Sequence, residues 1–114
     1  MFLDDDPNYL GIISDLLTDA GYEVQVFSDP GIAWDELPSV KPDCLILDLN
    51  MPMLDGREFL PWARKTFPQL AIIICSGFEI HDQQVFKEHS IQHILHKPVS
   101  AGQMIEAIRK SLAQ

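Results

Sequence analysis

Two runs, DCLILDL at 43–49 and LAIIICS at 70–76, are apolar almost throughout, with polar residues only at or beside their ends. Neither alternates polar with apolar positions, so each reads as a strand buried on both faces. Such a strand needs a helical layer above and below it. The segment between them, 50–69, is long enough for a crossover helix and a parallel return.

The rest of the chain repeats this alternation. MFL is a short apolar run, and Leu10, Ile13, Leu17 and Ala20 share one face of a helix predicted over 7–20. Asp6 caps that helix, Pro7 takes the first helical position, and Gly21 ends it. YEVQVF alternates as a strand, and SDPGIAWDEL reads as a short helix entered through Ser28, Asp29 and Pro30. NMPMLDG is a turn-rich loop, in which Asp55 and Gly56 supply turn chemistry. A third helix follows over 57–66, which Pro61 should shorten or bend. A helix over 80–88, the short strand QHILH, and a last helix from about Ser100 complete the pattern. That last helix turns Met104, Ile105, Ile108 and Leu112 inward. Five strand–helix units predict an α/β fold, a parallel sheet covered on both sides, in one domain over 1–114.

Composition narrows the partners. A net charge of −9 argues against direct nucleic-acid binding and against an anionic membrane surface, and favours a cation or a basic protein surface. Cys44 and Cys75 lie in apolar strands, so a reduced, cytoplasmic chain without a redox role is expected. No apolar stretch approaches a bilayer span, and MFLDDD lacks the basic and apolar regions of a secretory signal.

In a sheet of this kind, ligands sit beyond the carboxyl ends of the strands. Those ends carry Asp4 and Asp5, then Asp48, then Ser76, then Lys97. Carboxylates held together repel one another, and a hard divalent cation, Mg2+ or Mn2+, relieves that repulsion. A carboxylate can also attack phosphorus, while an ammonium and a hydroxyl neutralise phosphoryl oxygens. The plain alternatives are a solvated acidic tail for Asp4 and Asp5, a strand-end hydroxyl for Ser76 and a surface charge for Lys97. Asp6 reads as a helix cap, not a ligand, and His81, His89, His93 and His96 read as surface or edge residues.

FLDDDP, LILDLNMPMLDG, IIICSG and HKPVS, in this order and spacing, resemble the receiver domains of two-component response regulators over nearly the whole chain. The resemblance implies a flavodoxin-like doubly wound (βα)5 sheet of order 2-1-3-4-5. It implies Asp48 as phosphoacceptor, Ser76 as hydrogen-bond donor to the phosphoryl group, and Lys97 as its electrostatic partner. Asp5, Asp48 and the Asn50 backbone carbonyl would hold Mg2+ directly, and Asp4 through water. The donor would be a sensor histidine kinase or a phosphotransfer protein. The output would be a changed binding surface, on the face formed by the fourth helix, fifth strand and fifth helix, for an output domain or partner. The receiver would catalyse only its own phosphorylation and dephosphorylation. Ending at Gln114, the chain is expected to be a stand-alone receiver or one excised from a larger protein.

Three positions depart from the family pattern. The first strand is short, which should cost stability. Ile94 stands three before Lys97, where many members carry an aromatic ring that moves with phosphorylation. Phe78 follows Ser76 by two, where its ring could exclude water and prolong the phosphoryl state. A receiver-like module that works without phosphate is therefore kept as the alternative. An aspartate-nucleophile phosphatase fits less well, because Asn50 occupies the place of the general acid such enzymes often carry. An FMN protein fits poorly too, because LDDDP offers no phosphate-cradling loop.

Overall fold

Side chains along each buried strand alternate between two apolar layers, and that alternation builds the fold. In the computed structural model, Leu3, Leu45, Leu47, Ile72 and Ile74 join one core. Their strand neighbours Phe2, Ile46, Ile73 and Cys75 join the other. The structure describes residues 1–4, 6–48, 56–76, 91, 93–97 and 99–112, with the main chain alone at 56–58 and 76.

Five parallel strands are described: β1 Phe2–Leu3, β2 Val26–Phe27, β3 Cys44–Asp48, β4 Ala71–Ser76 and β5 His93–His96. Their order is β2-β1-β3-β4-β5, as the resemblance implied. Four helices are described: α1 Pro7–Asp19, α2 Pro30–Val40, α3 Gly56–Thr66 and the last helix, α4, Ala101–Leu112. α1 and α4 cover one face through Leu10, Ile13, Leu17, Met104 and Ile108. α2 and α3 cover the other through Ala33, Leu37, Phe59, Leu60 and Ala63. On that second side the Trp34 and Trp62 rings stack with centroids 4.2 Å apart. The helix predicted over 80–88 lies outside the described residues.

The caps follow from local chemistry. Asp6 accepts from the Asn8 and Tyr9 N–H groups at 3.0 and 3.3 Å, and Asp29 caps α2 in the same way. Ser100 and Gln103 form a reciprocal capping box ahead of α4, with bonds of 2.9 and 3.1 Å. Gly21, at φ +101°, takes the left-handed conformation that lets the chain leave α1.

Several expectations change. Ala20 is the exposed C-cap of α1 and not part of its inner face. Leu112 is 43 % exposed at the end of α4, and Ala107 takes a buried place beside Met104 and Ile108. Only Val26–Phe27 of YEVQVF forms ladder, because β2 is an edge strand and β1 beside it pairs over two residues. α2 continues through Pro38 to Val40. α3 carries Pro61 without a break: the ring replaces one N–H, while Phe59, Leu60 and Ala63 keep that helix packed.

Alongside the start of β1 lies a groove of about 360 Å³, bordered by Leu17, Tyr22, Val24, Cys44 and Ile108. Among the described residues, no helix is long and apolar enough to cross a membrane.

Candidate functional site

Strand register brings the first two acidic groups together. Phe2 lies beside Ile46 and Leu3 beside Leu47, so one further step sets Asp4 beside Asp48. Both belong to the alternation that points toward α1 and α4, and each is 1 % exposed. Asp4 is oriented by its own loop: the Asp6 N–H donates to Asp4 Oδ1 at 3.0 Å. Its other oxygen, Oδ2, accepts from Lys97 Nζ at 3.3 Å, and the same ammonium lies 3.0 Å from Asp48 Oδ2. Lys97 follows β5 directly, and its side chain keeps 30 % exposure, so it reaches the carboxylates from the solvent side.

Burial raises the Asp4 pKa, the Asp6 N–H opposes that rise, and the Asp48 charge adds to it while Lys97 opposes it. Burial alone would lower the Lys97 pKa. The Asp48 hydrogen bond and the charges of both carboxylates outweigh it, so the ammonium titrates above its ordinary value. Cys75 lies in the apolar layer below, where burial pushes its thiol up to about 12. It is therefore a protonated core residue and not a nucleophile. Cys44 is half-buried rather than fully so, and neither cysteine is in a disulfide.

The fit to a divalent cation can be tested on this geometry. Two buried carboxylates share one ammonium, so these three described groups together carry a net negative charge. An all-oxygen set with surplus negative charge suits a hard cation such as Mg2+. Asp5 and Asn50 lie outside the described residues, as do Phe78, Asp55, His81 and His89. Ser76 ends β4 with its backbone opposite His96, one step beyond the Asp48–Cys75 pair; its side chain is not described. Ile94 is half-buried and packs against the α2–α3 side core. His96 is exposed and His93 half-buried, its Nε2 without a hydrogen-bond partner among the described residues.

One neighbour of the site was not singled out in the sequence. The Tyr9 ring lies 5.9 Å from Lys97 Nζ. Its signal was available, since Tyr9, Ile13 and Leu17 recur at four-residue spacing on α1.

A five-stranded parallel sheet with a buried pair of carboxylates at its carboxyl edge defines a CheY-like, flavodoxin-type protein, and solved structures agree. A receiver domain from Methanospirillum hungatei superposes with a TM-score of 0.90 at 23 % identity, covering 98 % of this chain and 90 % of that one. Vibrio cholerae chemotaxis protein CheY4 gives 0.87 at 25 % identity, covering 97 % and 95 %. The response regulator receiver domain model matches residues 1–109, and the chain belongs to that family. Chemotaxis protein CheY of Listeria monocytogenes is 30 % identical over 103 residues, which are 88 % of this chain and 86 % of that protein. A protein-glutamate methylesterase/protein-glutamine glutaminase of Anaeromyxobacter dehalogenans is 30 % identical over 109 residues, 85 % of this chain. The chain spans only 31 % of that relative, and 25 % of the nitrogen assimilation regulator NtrX of Azorhizobium caulinodans.

Proposed function

We propose that this receiver takes a phosphoryl group from a phosphohistidine onto Asp48 in the presence of Mg2+, or of Mn2+ in its place. The carrying observation is the Asp48 carboxylate at the end of β3, buried and faced at 3.0 Å by the Lys97 ammonium. An Asp48 oxygen attacks phosphorus in line, a P–O bond forms as the P–N bond to imidazole breaks, and the leaving imidazole regains a proton from solvent. Lys97, already beside Asp48, pairs electrostatically with the phosphoryl oxygens, and the Ser76 hydroxyl donates to one of them. Asp5, Asp48, the Asn50 backbone carbonyl and, through water, Asp4 are the groups that would hold the metal. When bound, the metal supplies positive charge to the carboxylates and to the transferring oxygens. Asp4 also fixes Lys97 before the donor arrives, through the 3.3 Å contact.

The donor is a sensor histidine kinase or a phosphotransfer protein, and the place of action is the cytoplasm. The product remains on the protein, so the output is an altered binding surface for an output domain or partner and not a released substrate. The surface assigned to that output includes β5 and α4; the helix expected over 80–88, which would complete it, lies outside the described residues. One observation favours a second reading, a module that binds its partner without phosphate. Ile94 is packed on the core at the position where many receivers carry a mobile ring.

Intact mass after incubation with Mg2+ and acetyl phosphate separates the readings. A single phosphoryl adduct in the wild type, absent in Asp48→Asn and without Mg2+, supports the phosphoacceptor. A wild type that never gains the adduct supports the constitutive module.

A further inference from the structure

Lys97 has a third neighbour besides its two carboxylates. The Tyr9 ring, in the first turn of α1, stands 5.9 Å from Nζ at its centroid. That ring is held from behind. It packs edge-on against Phe2 of β1, with centroids 6.0 Å apart and an interplanar angle of 72°, and it borders the apolar layer beneath α1. Its main chain is fixed as well, because the Tyr9 N–H donates to the capping carboxylate of Asp6 at 3.3 Å. The segment that supplies Asp4 therefore also supplies an aromatic face to the cation arriving from β5.

We propose that Tyr9 is a positioning residue for Lys97, its ring face holding the ammonium between Asp4 and Asp48, where an incoming phosphoryl group needs it. An aromatic face attracts a cation out to about 6 Å, and the attraction grows as water is excluded. The Lys97 side chain is 30 % exposed and its stem is flexible, so a ring beside the ammonium narrows the arc it samples. The acting part is the ring face and not the hydroxyl, so phenylalanine replaces tyrosine and an aliphatic side chain does not. This inference rests on the phosphoacceptor reading of Asp48.

The test measures the rate of Mg2+-dependent adduct formation from acetyl phosphate by intact mass. Tyr9→Phe should stay within about 2-fold of wild type, whereas Tyr9→Leu should slow the reaction by about 3- to 5-fold. In a Lys97→Met background, Tyr9→Leu should leave the residual rate unchanged, because the residue it positions is gone. An equal loss in that background, an unchanged rate for Tyr9→Leu, or a Tyr9→Phe as slow as Tyr9→Leu each overturns the proposal. Tyr9→Met keeps apolar volume against Phe2 if the leucine variant folds poorly. An NMR readout stands apart from activity: the Lys97 ε-methylene protons should be shifted by the ring current in wild type and Tyr9→Phe, and not in Tyr9→Met. Absence of that shift in wild type overturns the contact. A wild type without adduct overturns the phosphoacceptor reading together with this one. A normal wild-type adduct with an indifferent Tyr9 overturns the positioning role alone.

Discussion

The Lys97 ammonium stands 3.0 Å from the Asp48 carboxylate although their strands, β5 and β3, are separated by β4. The long lysine stem spans the end of the intervening strand, and the same ammonium lies 3.3 Å from Asp4, which follows β1 on the far side of β3. A single cation thus ties the carboxyl ends of three strands together before any phosphoryl group or metal arrives.

Removing that cation should be costly. Lys97→Met leaves two buried carboxylates facing each other, and we expect a loss of about 1–3 kcal/mol at pH 7, discounted for the partial exposure of the lysine. The loss has a definite pH dependence. Burial works to lower the Lys97 pKa, but Asp48 and Asp4 raise it above 10.5. The stabilisation is therefore complete below the unfolded value and disappears as pH rises through the folded one. Urea midpoints of wild type and variant should converge beyond pH 10.5; a gap that persists unchanged there contradicts the ion-pair account.

Asp4→Asn should act in the opposite direction. Burial raises the Asp4 pKa above 3.8, partly opposed by the Asp6 N–H bond. The folded chain then keeps this proton longer than the unfolded chain, so its contribution to stability falls as pH rises from 3.8 through the folded value. A neutral amide escapes that penalty. We expect a higher Tm at pH 7, by about 4 °C for each kcal/mol relieved, with the advantage shrinking as the pH falls toward 3.8. Thermal melts across that range decide it, and an equal or lower Tm at pH 7 rejects it.

Asp6 separates structure from chemistry within the acidic triplet. Its carboxylate caps α1 through Asn8 and Tyr9. Asp6→Ala should cost about 1 kcal/mol in denaturant unfolding while leaving Mg2+-dependent adduct formation intact. Loss of the adduct at unchanged stability would instead make Asp6 a ligand.

The groove beside the start of β1 offers a test of that strand's anchoring. The next main-chain rung would use Glu23 O and Gln25 N on the β2 side, continuing the Phe2 N–H to Gln25 O bond. A residue placed directly before Met1 would share the face of Phe2 and reach Leu17 and Ile108 across the groove. Adding two apolar residues there should stabilise the fold by about 1–2 kcal/mol. A Tm that does not move would show that β1 gains nothing from a longer ladder.

What could be read along the chain was what depends on near neighbours. The cap at Asp6 and the helix starts at Asp29 and Ser100 rest on N–H groups two or three residues away, so composition and spacing were sufficient to place them. The two-faced burial of Leu45, Ile46 and Leu47 followed from a strand's period of two. The family motifs likewise pointed to Asp4, Asp48 and Lys97 as one group. What only the tertiary structure decided was geometry across strands. The Leu3–Leu47 register set Asp4 beside Asp48, and the same lysine reached both across 93 residues of chain from Asp4. The Tyr9 ring beside that lysine, the exposure of Ala20 and Leu112, and the shortness of β2 were decided there too. Each depends on which element packs alongside, and hydrophobic periodicity carries a residue's side of its own helix or strand but not the neighbour that meets it.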